Sequence, residues 1–505
     1  MKKKVLLIYT ELGFAGSYVI QPPISLVYVA THLVKHPELE VQIIDCRIEK
    51  DWKSRLEQTL SQGDVLFAGL FVMSGLQVAK AHDVSCLIKE ISPSVSIIWG
   101  GPHPTIMPEE VLNYGNIDFC IRGFGADALE QLTLKLLEGK SNFETISNVC
   151  FIRNGTSITG QINSHYERLH FHKLPYHLLD PYIEKYYDEG KHERAFPIYT
   201  AFGCPYQCNY CISPIWFKDT KKKWDPLPAE EVVDHMEFLI ERYAINLFYF
   251  WDDDTFVTPS HFSNIAKEIL SRGLRVDIGV RGIRANEVDR MKPKDFELLE
   301  AVGVKYLHIG IENGSQRILD IMQKGIKVEQ SIETNRKLAK SDHIIPMYNM
   351  LCGVPTETLE DLKQTGLFML QIAEENPNCI IFDPGKLIPY PGGAAYDLAV
   401  AHGYVPPKTP ADWNKLDQDE EIYQPWYTPE YNRYINMLQV ASYALSNWEK
   451  YLGNYPMGLQ IMFKIAKKLY KPIAKFRIKH ALAGCLIEYH LLNYAKQSLL
   501  KGNSG

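Results

Sequence analysis

The chain has 505 residues, 46% hydrophobic and 23% charged, with a formal net charge of −6. That length predicts two to four domains, the composition is that of an ordinary globular protein, and the mild acidity excludes a global basic signal for nucleic acid. No run of 18 or more apolar residues occurs, which argues against a transmembrane helix, and the ten cysteines are scattered apart from one triplet, a pattern of a reducing cytoplasmic compartment.

Met1-Lys2-Lys3-Lys4 followed by Val5–Tyr9 reads as a first strand rather than a signal peptide, because the apolar run is short and Glu11 interrupts it. Strands then follow at Val41–Asp45, Val65–Phe71, Ser96–Trp99 and Phe119–Arg122. Helical patterns lie between them at Ile24–Lys35, Trp52–Gln62, from about Gly75 to Ile91, and at Ala126–Leu137. Five strand–helix units of this length predict a Rossmann-like, doubly wound parallel sheet over residues 1–138. Ligands of such sheets sit at the strand carboxyl ends. Four turns fall there: Thr10-Glu11-Leu12-Gly13, Val72-Met73-Ser74-Gly75, Gly100-Gly101-Pro102-His103-Pro104-Thr105 and Arg122-Gly123-Phe124-Gly125. Glycine lets backbone approach a bulky ligand; each turn taken alone is equally a tight turn. His103 in its Gly-Pro loop either contacts a ligand or bonds backbone groups.

Residues 139–195 read as a linker with a hairpin, Val149–Arg153 and Ser157–Ile162 about Asn154-Gly155. His170, His172 and His177 in it read as surface or packing residues. Past the apolar run Pro197–Ala201 comes Cys204-Pro-Tyr-Gln-Cys208-Asn-Tyr-Cys211, three cysteines within eight residues. Three thiolates on a tight loop can each hold one iron of a cubane cluster and leave the fourth iron open. Zinc would want a fourth Cys or His close by, and none follows soon after Cys211. Further strands at Asn246–Trp251, Arg275–Val280, Tyr306–Gly310, Ile345–Leu351 and Cys379–Leu387, with helices between, predict a partial (β/α)6 TIM-type barrel over 196–404, its site at the strand carboxyl ends.

Those ends carry Asp252-Asp253-Asp254, Arg281, Gly310-Ile311-Glu312-Asn313-Gly314-Ser315, Cys352-Gly353-Val354-Pro355-Thr356-Glu357 and Pro389-Tyr390-Pro391-Gly392. Each has a plain structural reading: acidic triplets cap helices, arginines form ion pairs, and Cys352 is more readily a buried structural thiol than a catalytic one. Their weight lies in falling together at successive strand ends. Residues 405–505 form a mostly helical C-terminal region with a Trp- and Tyr-rich stretch from Asp412, a lid or a packing segment. Residues 458–479 read as an amphipathic helix, with Leu459, Met462, Ala466, Leu469 and Ile473 on one face and Lys464, Lys468, Lys471, Lys475 and Lys479 on the other. Such a helix either packs its apolar face on the protein, the simpler reading, or lies peripherally on an anionic membrane.

The cysteine spacing resembles that of the radical S-adenosylmethionine (radical SAM) superfamily. The Gly-Gly-Pro-His-Pro-Thr and Arg-Gly-x-Gly turns, with Pro22-Pro23 opening the first helix, resemble the cobalamin (B12)-binding domain that precedes many radical SAM domains. The Asp-x-His-x-x-Gly motif of other cobalamin proteins is absent: none of the 16 histidines has Asp two residues before it. The resemblance covers roughly residues 1–400. It implies a [4Fe-4S] cluster on Cys204, Cys208 and Cys211; SAM contacts from Tyr210, Asp252, Asp253, Arg281, Glu312, Gly353 and Pro355; and cobalamin contacts from Glu11, Gly13, Ser74, Gly100, Gly101, Pro102, His103, Gly123 and Gly125. The implied activity begins when a reductant such as flavodoxin or ferredoxin supplies an electron for cleavage of SAM. The resulting 5′-deoxyadenosyl radical takes a hydrogen from an unactivated carbon of a small-molecule or lipid-like substrate, which then receives a methyl group through cobalamin. The same family includes radical chemistry without methyl transfer, such as tetrapyrrole-ring cyclisation or dehydration. A non-catalytic cobalamin or redox sensor is the reading from another class.

Overall fold

A computed structural model of the protein describes every residue except 1, 13–20, 164–167, 188–192, 219, 221, 417–423, 451–456, 485 and 495–505; Gly13 therefore lies outside the described residues. The first layer set comprises β1 (Lys3–Tyr9), α1 (Ile24–Leu33), β2 (Leu39–Asp45), α2 (Trp52–Ser61), β3 (Val65–Phe71), α3 (Leu76–Ile91), β4 (Ser96–Gly100), α4 (Pro102–Ile106), α5 (Pro108–Asn113), β5 (Phe119–Ile121) and α6 (Ala126–Leu137). Val5 to Ile8 of β1 are fully or almost fully buried, as expected of a parallel strand covered on both faces. Leu7 and Ile43 pack with Val27 and Leu33 of α1 and Leu129 and Leu132 of α6; Leu6 and Ile8 pack with Leu56 of α2 and Val84 and Ile88 of α3 on the other face.

The hairpin assigned to the linker belongs to this sheet. Strands β6 (Val149–Arg153) and β7 (Thr156–Thr159) extend it antiparallel, giving the order β2-β1-β3-β4-β5-β6-β7. The first sheet thus runs past the boundary expected at residue 138. Alternation within a hairpin says which face is buried, but not which sheet edge it joins.

The second unit holds β8 (Ala195–Ile198), β9 (Ala201–Gly203), α7 (Ser213–Trp216), β10 (Trp224–Pro226), α8 (Ala229–Tyr243), β11 (Leu247–Phe250), α9 (Pro259–Ser271), β12 (Asp277–Arg284), α10 (Ala285–Arg290), α11 (Pro293–Ala301), β13 (Val304–Glu312), α12 (Gln316–Ile321), α13 (Val328–Leu338), β14 (Ile345–Cys352), α14 (Leu359–Glu375), β15 (Ile380–Ile381) and β16 (Gly385–Lys386). Strands β8, β11, β12, β13, β14 and β15 pair in chain order and all in parallel, the arc of a partial barrel. Two predicted strands are broken. The Pro197–Ala201 run splits into β8 and β9, and β9 turns away to pair antiparallel with β10. Cys379–Leu387 splits at Asp383-Pro384, where proline removes a ladder donor, into β15 and β16.

The C-terminal region adds α15 (Ala394–Ala401), a 3₁₀ turn at Pro410–Leu416, α16 (Pro429–Leu445) and α17 (Met457–Lys479), which runs on through Pro472. Its aromatic residues clamp both units. Trp413, 1% exposed, lies in the core of the first unit, its indole N–H donating to Tyr114 Oη at 3.2 Å and its ring edge-on to His103 at 4.8 Å. Trp426 donates to the Gly353 carbonyl at 3.0 Å, and Tyr431 Oη accepts the Gly353 N–H at 2.8 Å. Beneath them Glu357 is buried; burial pushes its carboxyl up to about 7, although Asn313 and the Val354 and Gly353 N–H groups donate to it.

Two outcomes follow. Trp413→Ala empties a fully packed position and lowers stability by about 3–5 kcal/mol; a denaturant midpoint unchanged from wild type would contradict the clamp. Glu357, with a folded pKa above its unfolded one, contributes stability that is present below about pH 4.5 and lost as pH rises through about 7. The stability difference between wild type and Glu357→Gln therefore falls by on the order of 3 kcal/mol between pH 5 and pH 8. A pH-independent difference in calorimetry would show that Glu357 is ionised throughout.

Candidate functional site

The cysteine loop leaves β9 at Gly203, whose φ is +82° and where a Cβ would meet the Lys223 carbonyl oxygen at 2.3 Å. Glycine is required there by both conformation and space. The loop has little secondary structure of its own and is held from outside. The Asn209 N–H donates to the Met322 carbonyl at 3.1 Å and its side-chain amide to the Ile321 carbonyl at 2.6 Å, while its own carbonyl accepts from Ala395 at 3.2 Å. A Cβ on Gly393 would meet that same carbonyl at 2.9 Å. The loop is thus fixed against the end of α12 and the start of α15.

The three thiols form no disulfides. Arg284 Nη1 lies 3.4 Å from Cys208 Sγ, and the Ser213 N–H lies 3.5 Å from Cys211 Sγ, so two donors face sulfurs that would carry charge as thiolates. Burial pushes the Cys204 thiol up to about 12 and raises that of Cys211, so coordination to a metal is what would deprotonate them. Among the described residues no three His, Cys, Asp or Glu side chains converge on one metal ion. A zinc site needs that convergence; a cubane does not, since each thiolate takes its own iron. The donor set fits the cluster. Arg284 also stacks at 3.7 Å over Tyr206, whose hydroxyl donates to Glu287 at 3.0 Å, which fixes the guanidinium.

Beside the loop lies a buried ion pair that the sequence did not single out. Lys324 Nζ is 2.7 Å from Glu312 Oε1, and both meet the Tyr210 hydroxyl, at 3.2 and 3.1 Å. Glu312 reaches this position through a left-handed backbone, φ +58°, that breaks strand alternation at the end of β13. Gly310 makes room, since a Cβ there would meet Glu312 Oε1 at 2.3 Å and Lys324 Nζ at 2.6 Å. Of the acidic triplet, Asp253 is exposed next to the loop and accepts from Ser213 Oγ. Asp252 is buried and spent internally, taking the Thr200 and Ala201 N–H groups at 2.6 and 3.1 Å and the Thr255 hydroxyl at 2.8 Å, with its carboxyl pushed up to about 6 by burial. Arg281 lies 4.6 Å over the Trp251 ring. Gly353 has both backbone groups occupied by Glu357, Tyr431 and Trp426, and Pro355 is buried in the same turn, so these residues build the turn rather than present groups to a ligand. Cys352 has no exposed surface and its thiol is raised far above the usual range by burial, the behaviour of a structural cysteine.

In the first unit the predicted turns lie together at the strand ends. At Gly100 and Gly123 an added Cβ would meet nothing within 4 Å, so both border open space. Thr10 Oγ1, just past β1, and Gln21 Oε1, of the residue whose backbone carbonyl accepts from the Arg47 that lies over Tyr9, are buried with no hydrogen-bond partner among the described residues. Open glycine turns with unpaired polar atoms fit a bulky polar ligand such as cobalamin. Gly101 and Gly125 are needed by the fold itself: a Cβ at Gly101 would strike the Val72 carbonyl at 2.8 Å, and one at Gly125 would crowd Ile121 at 3.1 Å. Glu11 pairs with Lys80 at 3.5 Å. Pro102 starts α4. His103 is fully buried, with Nδ1 3.1 Å from Ser74 Oγ and Nε2 unpartnered; burial pulls its pKa down to about 3 and keeps it neutral.

The two sets of strand ends face each other. Phe124, between Gly123 and Gly125, packs on Phe202, Trp216 and Phe217, with ring centres 5.7, 6.4 and 6.2 Å away. Helix α4 touches α7, which follows Cys211 directly. Gly392 abuts Ile106, and Gly75 lies opposite the Tyr390 hydroxyl. A small pocket lined by Tyr210, Cys211, Ile215, Leu387 and Tyr390, all of the second unit, lies beside the cysteine loop.

Comparison with known proteins gives the same division. The radical SAM superfamily model matches residues 198–369 and the B12 binding domain model residues 13–133. An uncharacterized methyltransferase of Pyrococcus horikoshii is 26% identical over 75% of this chain and 79% of its own length. The anaerobic magnesium-protoporphyrin IX monomethyl ester cyclase of Rubrivivax gelatinosus is 23% identical over 72% of this chain and 64% of its own length. In fold, the chain is similar to the radical SAM methyltransferase TsrM of Kitasatospora setae, solved with cobalamin and a [4Fe-4S] cluster (TM-score 0.60, 18% identity, 75% of this chain and 72% of that one). It is also similar to the cobalamin-dependent radical enzyme OxsB, solved with aqua-cobalamin and SAM (TM-score 0.65, 16% identity, 95% of this chain and 72% of that one). The chain is a radical SAM enzyme with an N-terminal B12-binding domain.

Proposed function

We propose that the protein binds a [4Fe-4S] cluster on Cys204, Cys208 and Cys211, SAM beside it and cobalamin on the glycine turns of the first domain, and methylates an unactivated carbon of a small-molecule substrate. The observation that carries this is the packing of the two sets of strand ends on each other: Phe124 of the Arg122–Gly125 turn sits on Phe202, Trp216 and Phe217, which flank the cysteine loop, and Gly75 lies opposite the Tyr390 hydroxyl. When bound, these groups supply reductive cleavage of SAM and a transferable methyl group, drawing electrons from an external reductant such as flavodoxin or ferredoxin.

The chain's own residues bind, orient and exclude water. Arg284 and the Ser213 N–H face the Cys208 and Cys211 sulfurs and would tune the potential of a cluster held there. Lys324, held by Glu312 and Tyr210, is the cation placed to take the SAM carboxylate, with Arg281 the other cation among the expected SAM contacts. Asp253 is the exposed acceptor for the SAM ammonium or ribose hydroxyls. Phe124, packed on Phe202, Trp216 and Phe217, makes an apolar seam between the two units next to the cysteine loop, which would keep water from a reactive carbon radical. The likeness to the cyclase favours a second reading, radical chemistry without methyl transfer; product mass separates the two.

Anaerobically reconstituted protein given SAM and dithionite is expected to form 5′-deoxyadenosine, measured by mass spectrometry. Cys208→Ala loses both iron and activity. Lys324→Gln keeps its iron but raises the KM for SAM at least about tenfold, the cost of one charge-assisted bond. Absence of 5′-deoxyadenosine from iron-replete protein contradicts the radical reading. An unchanged KM in Lys324→Gln removes Lys324 from the SAM site and returns Arg281 to consideration.

A further inference from the structure

Helix α17 does not pack the way its sequence predicts. Its contact line on α14 and α16 runs through Ala474 and Ile478, both buried, and is fastened by ion pairs from Lys467 to Glu449 and from Lys475 to Glu374 at 2.5 and 2.8 Å. The apolar face read from the sequence is left outside together with Lys464, Lys468 and Lys479 of the basic one, while Lys471 and Lys475 lie half-buried toward the packed side. Met462, Leu469 and Ile473 of the apolar face, joined by Ile461, Ile465 and Phe476, are 51–69% exposed, while the Leu459 side chain lies outside the described residues. Beyond the next turn, residues 487–494 are again helical and expose Ile487, Leu491 and Tyr494 by 63–72%. Of nineteen large apolar side chains exposed among the described residues, eleven fall between residues 457 and 494. Single exposed apolar residues need no explanation; a contiguous stripe marks an interaction surface.

The charge on the helix selects the partner. Between Met457 and Lys479 there are six lysines and one arginine and no acidic residue, in a chain whose net charge is −6. Lys464, Lys468 and Lys479 are exposed along one border of the apolar stripe. A second copy of the chain laid on this face would bring like charges together, whereas an anionic bilayer offers acyl chains to the stripe and headgroup charge to the lysines. No described helix is long and apolar enough to cross a membrane. At 1.5 Å per residue, α17 would lie along the surface for roughly 34 Å.

We infer that α17, with the helix at residues 487–494, docks the enzyme peripherally on an anionic lipid surface. Nothing in this rests on the reading of the cofactor sites.

The test is flotation of full-length protein with vesicles of phosphatidylcholine alone or with about one-third phosphatidylglycerol. Binding to the anionic vesicles is expected, at least about tenfold weaker to neutral ones, and weaker again as salt rises from about 0.1 M to about 0.5 M and screening shortens. Ile465→Glu with Leu469→Glu abolishes binding while circular dichroism and iron content stay at wild-type values, since both side chains are exposed. Lys464→Glu with Lys468→Glu removes the preference for anionic lipid. Failure of the wild type to float with anionic vesicles overturns the inference. So does a dimer in light scattering that Ile465→Glu with Leu469→Glu disperses without any vesicle binding, which would assign the stripe to a second copy. Neither result touches SAM cleavage.

Discussion

Eight residues must hold three sulfurs in a fixed triangle, and they contain almost no backbone hydrogen bonding of their own beyond the Cys211 N–H to the Cys208 carbonyl. The triangle is therefore set by what surrounds it. Asn209 ties the loop to Ile321 and Met322, and Ala395 and Gly393 close on the Asn209 carbonyl. Arg284 reaches Cys208 from β12 while braced by Tyr206. Because parallel strands deliver all their following loops to one end, these anchors from distant parts of the chain arrive at one place. The loop depends on the barrel being assembled, and the order of β8, β11, β12, β13, β14 and β15 is what assembles it.

Burial sets the electrostatics. Lys324 and Glu312 are 7% and 8% exposed and meet as a buried ion pair. Their pairing costs desolvation that a surface pair avoids, and it buys no obvious stability, which fits a role toward a ligand rather than toward folding. The backbone records the same priority. Glu312 adopts a left-handed conformation and Gly310 is stripped of a side chain so that the pair can form. Local strain of this kind is found where a site over-determines its backbone.

The sequence made much of this legible, and the reasons are physical. Val65–Phe71 was legible to the residue because burial on both faces of a parallel sheet leaves an unbroken apolar run, and Ala126–Leu137 because its apolar residues recur at helical spacing between Gly125 and Gly139. The cysteine spacing named the loop. What stayed hidden were contacts between residues far apart in the chain. Lys324 before a glycine looks like any solvated lysine until α12 folds it over Tyr210. Asp252 and Asp253 look equivalent until the strand turns one toward Thr200 and the other outward. Trp413 and Trp426 read as a lid or as packing, and only the fold shows Trp413 buried against the first domain and Trp426 half-buried against the Gly353 turn of the second. In α17 the apolar face that the sequence expects to pack is exposed, and Ala474 and Ile478 make the packed line instead.

The account centres on two cofactors held on facing strand ends of one chain. Iron, sulfide and cobalt per chain, measured on anaerobically purified protein reconstituted with cobalamin and recorded with its UV–visible spectrum, test that most directly. The account predicts about four irons, about four sulfides and about one cobalt per chain, with cobalt retained and iron lost when the three loop cysteines are replaced by alanine. Iron at that level with no cobalt retained, even with cobalamin in excess, would contradict it and leave the first domain without its cofactor.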